Sequence, residues 1–259
     1  MNRGSTQAGF TIFETLIVLA VSAALFTMVA LTMSGSQNKA QFLQATQNLQ
    51  SRIQQIISDV PNGFFPNTGN VQCSASAAGV IINSASQEQG TNQDCVFLGK
   101  VVQFHIQGTD PEQINTYSIA GWRQATTVAA AKPIVVNVPG AIDTTLMNYG
   151  LTSKSLTYGG IPIGAFGIIS EMGSLNAAGS YESGNQRVDL VPIMSSNLNV
   201  TTGSSVSTIN SNLAASMANS NPPGGILLCV QSGTTSQTAL ITIGSDGHDL
   251  AVESEVKPC

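Results

Sequence analysis

Gly9-Phe10-Thr11-Ile12-Phe13-Glu14 opens a run that carries no further charge until Lys39. From Phe10 to Met33 there are 24 residues with Glu14 as the sole ionised side chain. A helix of that length crosses about 30 Å of hydrocarbon. An acid inside such a helix costs roughly 2.5–3.5 kcal/mol at the bilayer centre on the most lenient insertion scales. The default reading of an intramembrane ionisable residue is therefore functional, with a partner to be named. A positive charge at the same depth in a neighbouring copy or a related subunit fills that role. Two plainer readings compete. In the first, the segment is an ordinary secretory signal with Ala20-Val21-Ser22-Ala23 as its cleavage region. In the second it is a simple anchor, which leaves the position of Glu14 without a reason.

Helix-compatible sequence continues past the membrane to Asp59, where Pro61, Gly63 and Pro66 end it. Phe42, Leu49, Ile53, Ile56, Ile57 and Val60 recur at spacings of three, four and seven, which is one helical face. Gln41, Gln44, Gln47, Gln50, Gln54 and Gln55 lie on the opposing face. Such a rod is about 75 Å long. It is expected to give its upper half to the core of its own head and its lower half to other rods. Gly35, between Ser34 and Ser36, is expected to mark a flexible step between the halves.

Gly9-Phe10-Thr11-Ile12-Phe13-Glu14-Thr15-Leu16-Ile17-Val18-Leu19 resembles the N-terminal signature of type IV prepilins and of the pseudopilins of type II secretion. The resemblance covers about the first fifth of the chain. It implies a leader over residues 1–9, with Arg3 held on the cytoplasmic side. A membrane peptidase would cut between Gly9 and Phe10, and Phe10 would become the N-methylated terminus. Glu14 would be the carboxylate that assembles a filament. The implied partners are other pilin or pseudopilin subunits, the prepilin peptidase, an inner-membrane assembly platform and membrane lipid. The implied location is a single-pass protein of the cytoplasmic membrane, head outward, and afterwards a surface or periplasmic filament.

The remaining chain is long enough for one sizeable head. Charged residues are only 9% and hydrophobic ones 42%, which suits a β-rich, neutral exported surface. Net charge is −5, and −6 once Arg3 leaves with the leader. From Pro61 onward there are six basic and twelve acidic side chains. That balance argues against phosphate-driven nucleic-acid binding. Lys100, Arg123, Lys132, Lys154, Arg187 and Lys257 are scattered and read as solvated surface. Cys73, Cys95, Cys229 and Cys259 all follow the helix, and an even count on the exported side reads as disulfides. Sequence permits three pairings, and proximity favours Cys73–Cys95 and Cys229–Cys259. No Cys-x-x-Cys occurs and His105 and His248 are isolated, so no metal is expected. No Gly-x-Ser-x-Gly, P-loop or His-Glu-x-x-His motif occurs, so no enzyme and no cofactor are expected. Asp246-Gly247 reads as a hairpin turn, and Trp122 as a packing residue.

Strand signals lie at 79–82, 96–106, 134–138, 161–169, 187–193, 225–230, 239–243 and 249–253, with Ser232-Gly233 as an intervening turn. The expected fold is α+β and pilin-like: one long helix against a mainly antiparallel sheet. It is divided into a leader (1–9), a membrane segment (10–33), an amphipathic extension (34–60) and a β-rich head (61–259). The Ser/Asn-rich stretch near 195–224 is expected to be a flexible insertion. Cys95-Val96-Phe97-Leu98-Gly99-Lys100 and Ile226-Leu227-Leu228-Cys229-Val230, with Ile241-Thr242-Ile243-Gly244, resemble the head of GspH/FimT-like minor pilins. The resemblances together imply a minor pilus subunit for motility, adhesion or uptake. A minor pseudopilin of type II secretion is the alternative, and a DNA-uptake pilin with a DNA-binding head a further one.

Overall fold

The protein is described here by a computed structural model covering residues 11–62, 71–85, 94–105, 110–170, 188–193, 202–216, 224–244 and 250–259. Helix α1, Ile12–Asp59, runs unbroken through Ser34-Gly35-Ser36. The chain divides into two compact units, Met1–Gln41 and Phe42–Cys259, and α1 belongs to both. In the first unit, residues 11–29 are exposed throughout. Ile12–Val29 is long and apolar enough to cross a membrane.

In the second unit the α1 stripe does what its spacing dictates. Phe42, Ala45, Leu49, Ile53, Ile56, Ile57 and Val60 are all buried. They pack into a core supplied by two antiparallel sheets. One sheet is ordered β10-β9-β3-β4-β5 (Val188–Ile193, Ala165–Ser170, Cys95–Phe104, Gln113–Trp122, Ile134–Val135), with β6 (Asp143–Leu146) also on β4. The other is ordered β13-β12-β11-β7-β8 (Val252–Glu255, Thr238–Ile243, Ile226–Ser232, Leu151–Tyr158, Ile161–Pro162). Strands β3 and β4 are buried on both faces, because Val102, Phe104 and Ile114 join the α1 core while Leu98, Val101, Tyr117 and Ile119 join a second one. A hairpin, β1 (Val71–Ser76) and β2 (Gly79–Ser84), stands beside them over Ala120, Val136, Val138 and Ala141. The fold is α+β, with a mostly antiparallel head.

Several expectations change. The 195–224 stretch contains a helix, α2 (Thr202–Ser216), rather than being loop throughout. Val206, Ile209 and Leu213 sit at spacings of three and four and fill the second core, almost wholly buried. Serine and asparagine composition hides that three-residue stripe. The 161–169 signal is two strands in different sheets, β8 and β9, separated at Gly164. Only Ile134–Val135 of the 134–138 signal is strand, and Val136 and Val138 pack beneath the hairpin. A longer connection than Ser232-Gly233 joins β11 to β12. Asp246-Gly247 and His248 lie outside the described residues.

Lys100 is not solvated surface. It is 7% exposed, and its Nζ donates to Asp59 Oδ2 at 2.7 Å, tying β3 to the end of α1. Gln50 is not free on the polar face either, since its Nε2 donates to Val252 O at 2.6 Å and its Oε1 accepts from Ser254 Oγ. Trp122 ends β4, half-buried against the second core. Two cystines stitch the head. Cys73–Cys95, Cα atoms 6.2 Å apart, holds the hairpin to β3, and Cys229–Cys259, 6.0 Å apart, holds the C-terminus to β11.

Candidate functional site

A helix start leaves backbone N–H groups without partners, and the first residues of α1 answer that locally. Thr11 stands at the N-cap. Its carbonyl accepts from Thr15 N at 3.2 Å and from Glu14 N at 3.0 Å, and its Oγ1 accepts from Glu14 N at 3.3 Å. Thr15 Oγ1 in turn donates to Ile12 O at 2.8 Å. Glu14 is thus the third helical residue, in the Thr-x-x-Glu arrangement of a capping box, and half of that box is formed. Gly9 and Phe10 lie outside the described residues.

This placement gives Glu14 two physical roles. The negative side chain sits in the first turn, where the helix dipole favours an anion. It also sits at the edge of an apolar surface, since Ile12, Phe13, Leu16, Ile17 and Leu19 are all exposed. Being three residues from the helix start, it lies only about 5 Å along the axis. An insertion penalty quoted for the bilayer centre is an upper bound there. The Thr11 cap was readable in the sequence, as Thr-x-x-Glu ahead of an apolar run.

Among the described residues the head offers no comparable site. A cleft of about 350 Å³ between α1 and β6 is lined by Arg52, Asp59, Lys100, Thr116, Ser118 and Asp143. Both of its cations are engaged, Arg52 by Asp143 and Thr145 and Lys100 by Asp59. A second polar group is structural. Asn115, fully buried, donates from Nδ2 to His105 Nε2 at 2.8 Å and to Tyr117 Oη at 3.3 Å. Its Oδ1 accepts from Gln113 Nε2 and Thr144 Oγ1, and Tyr117 Oη donates to Gln103 Oε1 at 2.9 Å. All the hydrogen-bonding capacity of the Asn115 amide is used, which makes the group a register pin for β3, β4 and β6. Burial lowers the His105 pKa, partly offset by Asp110, and raises that of Tyr117. Among the described residues no three His, Cys, Asp or Glu side chains come together to hold a metal. No family model, no curated protein and no solved structure matches this chain.

Proposed function

We propose that the chain is a non-enzymatic, membrane-anchored subunit of a type IV pilin-like filament, processed between Gly9 and Phe10 and methylated on Phe10. The observation that carries the reading is Glu14: a lone carboxylate in the first turn of an apolar helix whose residues 11–29 are exposed. An exposed apolar surface of that length needs lipid or other helices around it. Between subunits, Glu14 pairs with the terminal ammonium of a neighbour's Phe10. The attraction is strengthened in a low dielectric, and an unpaired charge there is penalised. The pair therefore selects register among helices that apolar contact alone would hold in many offsets.

The head fits this role as a stable, exported module. Two cystines close its hairpin and its C-terminus, as suits an oxidising compartment. Its acidic balance, six basic against twelve acidic side chains from Pro61, favours a structural subunit over a DNA-capturing one.

Intact-mass analysis after co-expression with a prepilin peptidase tests the reading. A mature protein beginning at Phe10 and heavier by one methyl group is expected, and Gly9→Leu should retain the leader. A mature terminus at Ala23 or Ala24, or an unprocessed Met1 under those conditions, would refute it.

A further inference from the structure

Sheet edges expose unpaired N–H and C=O groups, and proteins blunt them with short strands, proline, charge or a covering element. Most edges in this head are blunted. Strand β13 carries Glu253 and Glu255 and is covered by Gln50, which accepts from Ser254 and donates to Val252 O. Strand β8 is two residues long and contains Pro162, and β5 is two residues long and follows Pro133. Strand β10 contains Asp189 and Pro192, and β6 is four residues starting at Asp143.

Among the described residues, strand β2, Gly79-Val80-Ile81-Ile82-Asn83-Ser84, has none of these devices. It is six residues long, with no proline and no charge, and Ile81 is 63% exposed. Among the described residues its one ladder partner is β1. The connecting loop is the two residues Ala77-Ala78, so Ser76 and Gly79 form the closing hydrogen-bonded pair. Alternation then turns the N–H and C=O groups of Val80, Ile82 and Ser84 away from β1.

We propose that this edge is an interaction surface for a second copy of the same chain, β2 against β2, antiparallel about a two-fold axis at Ile82. The strand is self-complementary in that register. Val80 meets Ser84 of the second copy, Ile82 meets Ile82, and Ser84 meets Val80, each through outward backbone groups. On the exposed face Ile81 meets Asn83. A charge at the two-fold would face its own copy, and β2 carries none there or elsewhere. A pairing of six residues buries far less than the roughly 1,200–2,000 Å² of a stable free dimer. It is therefore weak between dilute molecules and populated where copies are concentrated, as in one membrane or between adjacent filaments. The inference does not depend on the filament reading.

The register gives the test. Facing non-hydrogen-bonded residues lie about 4.5 Å apart at Cα, within disulfide reach. Single variants Ile81→Cys and Asn83→Cys are made in the full chain. Both side chains are exposed, on the face opposite Cys73. They are purified in detergent, checked by mass mapping for both native cystines, concentrated and oxidised. The mixture of the two variants should give a cross-linked heterodimer at least several-fold above either variant alone. No cross-link in the mixture, or equal cross-linking of one variant with itself, would overturn the proposal.

Discussion

Glu14 can be separated into its two roles by chemistry that keeps one and deletes the other. Glutamine at the third helical position keeps the side-chain acceptor that a full capping box with Thr11 would use but carries no charge. Alanine does neither. Losing a cap contact costs about 1 kcal/mol, a factor of about five in the local helix equilibrium. Removing one member of a desolvated ion pair costs about 3–5 kcal/mol, because the other charge is left uncompensated. On that scale assembly falls by a factor of roughly 10² to 10³ or more. If pairing with a neighbouring ammonium governs assembly, Glu14→Gln and Glu14→Ala should be nearly equally defective, both inserted and both processed. Thr11→Ala, which removes the hydroxyl acceptor of Glu14 N but keeps the acid, should assemble within several-fold of wild type. The assay is the ratio of sheared filament protein to membrane-retained protein, measured by quantitative immunoblot. Wild-type filament yield from Glu14→Gln would show that the negative charge is dispensable and would refute the ion-pair argument.

Three further outcomes follow from the head, each measured on the full chain in detergent with the single tryptophan, Trp122, as the fluorescence probe. Leu213→Ala should destabilise by about 2–5 kcal/mol, since it empties a fully buried site under α2; a change below 0.5 kcal/mol by urea titration would deny α2 its place in the second core. The double variant Cys229→Ser with Cys259→Ser, opening a loop with sequence separation 30, should lower stability by about 3–4 kcal/mol against the wild type in urea titrations without reductant, and no loss would deny this cystine its stabilising role. Burial lowers the pKa of His105, so the unfolded state takes up its proton first as the pH falls. The stability it contributes is complete above pH 6.5 and is lost as the pH drops from there through the folded value; thermal melts between pH 7.5 and 5 should show that slope, and His105→Gln should flatten it.

The helix was legible because its signals are one-dimensional. Absence of charge from Thr15 to Asn38, a stripe at spacings of three, four and seven, and a stop at Pro61 each act on neighbours in the chain. Strand β4 was not legible, although it is ten residues long and nearly all buried. Its sequence, Gln-Ile-Asn-Thr-Tyr-Ser-Ile-Ala-Gly-Trp, alternates apolar and polar side chains like a half-exposed strand or a loop. Asn115, Thr116 and Ser118 are tolerated inside only because other elements supply hydrogen bonds or cover them. The α2 stripe failed to announce itself for a related reason: three apolar residues in a serine-rich helix suffice when the facing sheet supplies the rest of the core. Gly99 belongs to the same class, since it lies at the bulge in the β3–β4 pairing, and an added Cβ there would overlap the Ile168 carbonyl of β9.

The candidate site divides along the same line. That an acid stands early in an apolar helix is visible in six residues, and so is the Thr-x-x-Glu cap. What distinguishes a cap from an assembly charge is what surrounds the carboxylate, and one chain does not supply those surroundings. In an isolated subunit, dipole and cap already give Glu14 a favourable local setting, so its presence there is not by itself costly. On the proposed filament reading the cost would arise on packing, when neighbouring helices replace water around the side chain and the first turn no longer solvates it. On that proposed reading, function at this position is thus a property of the packed state. That is why the glutamine substitution, which is silent toward the cap and loud toward the charge, separates the two readings when a simple deletion cannot.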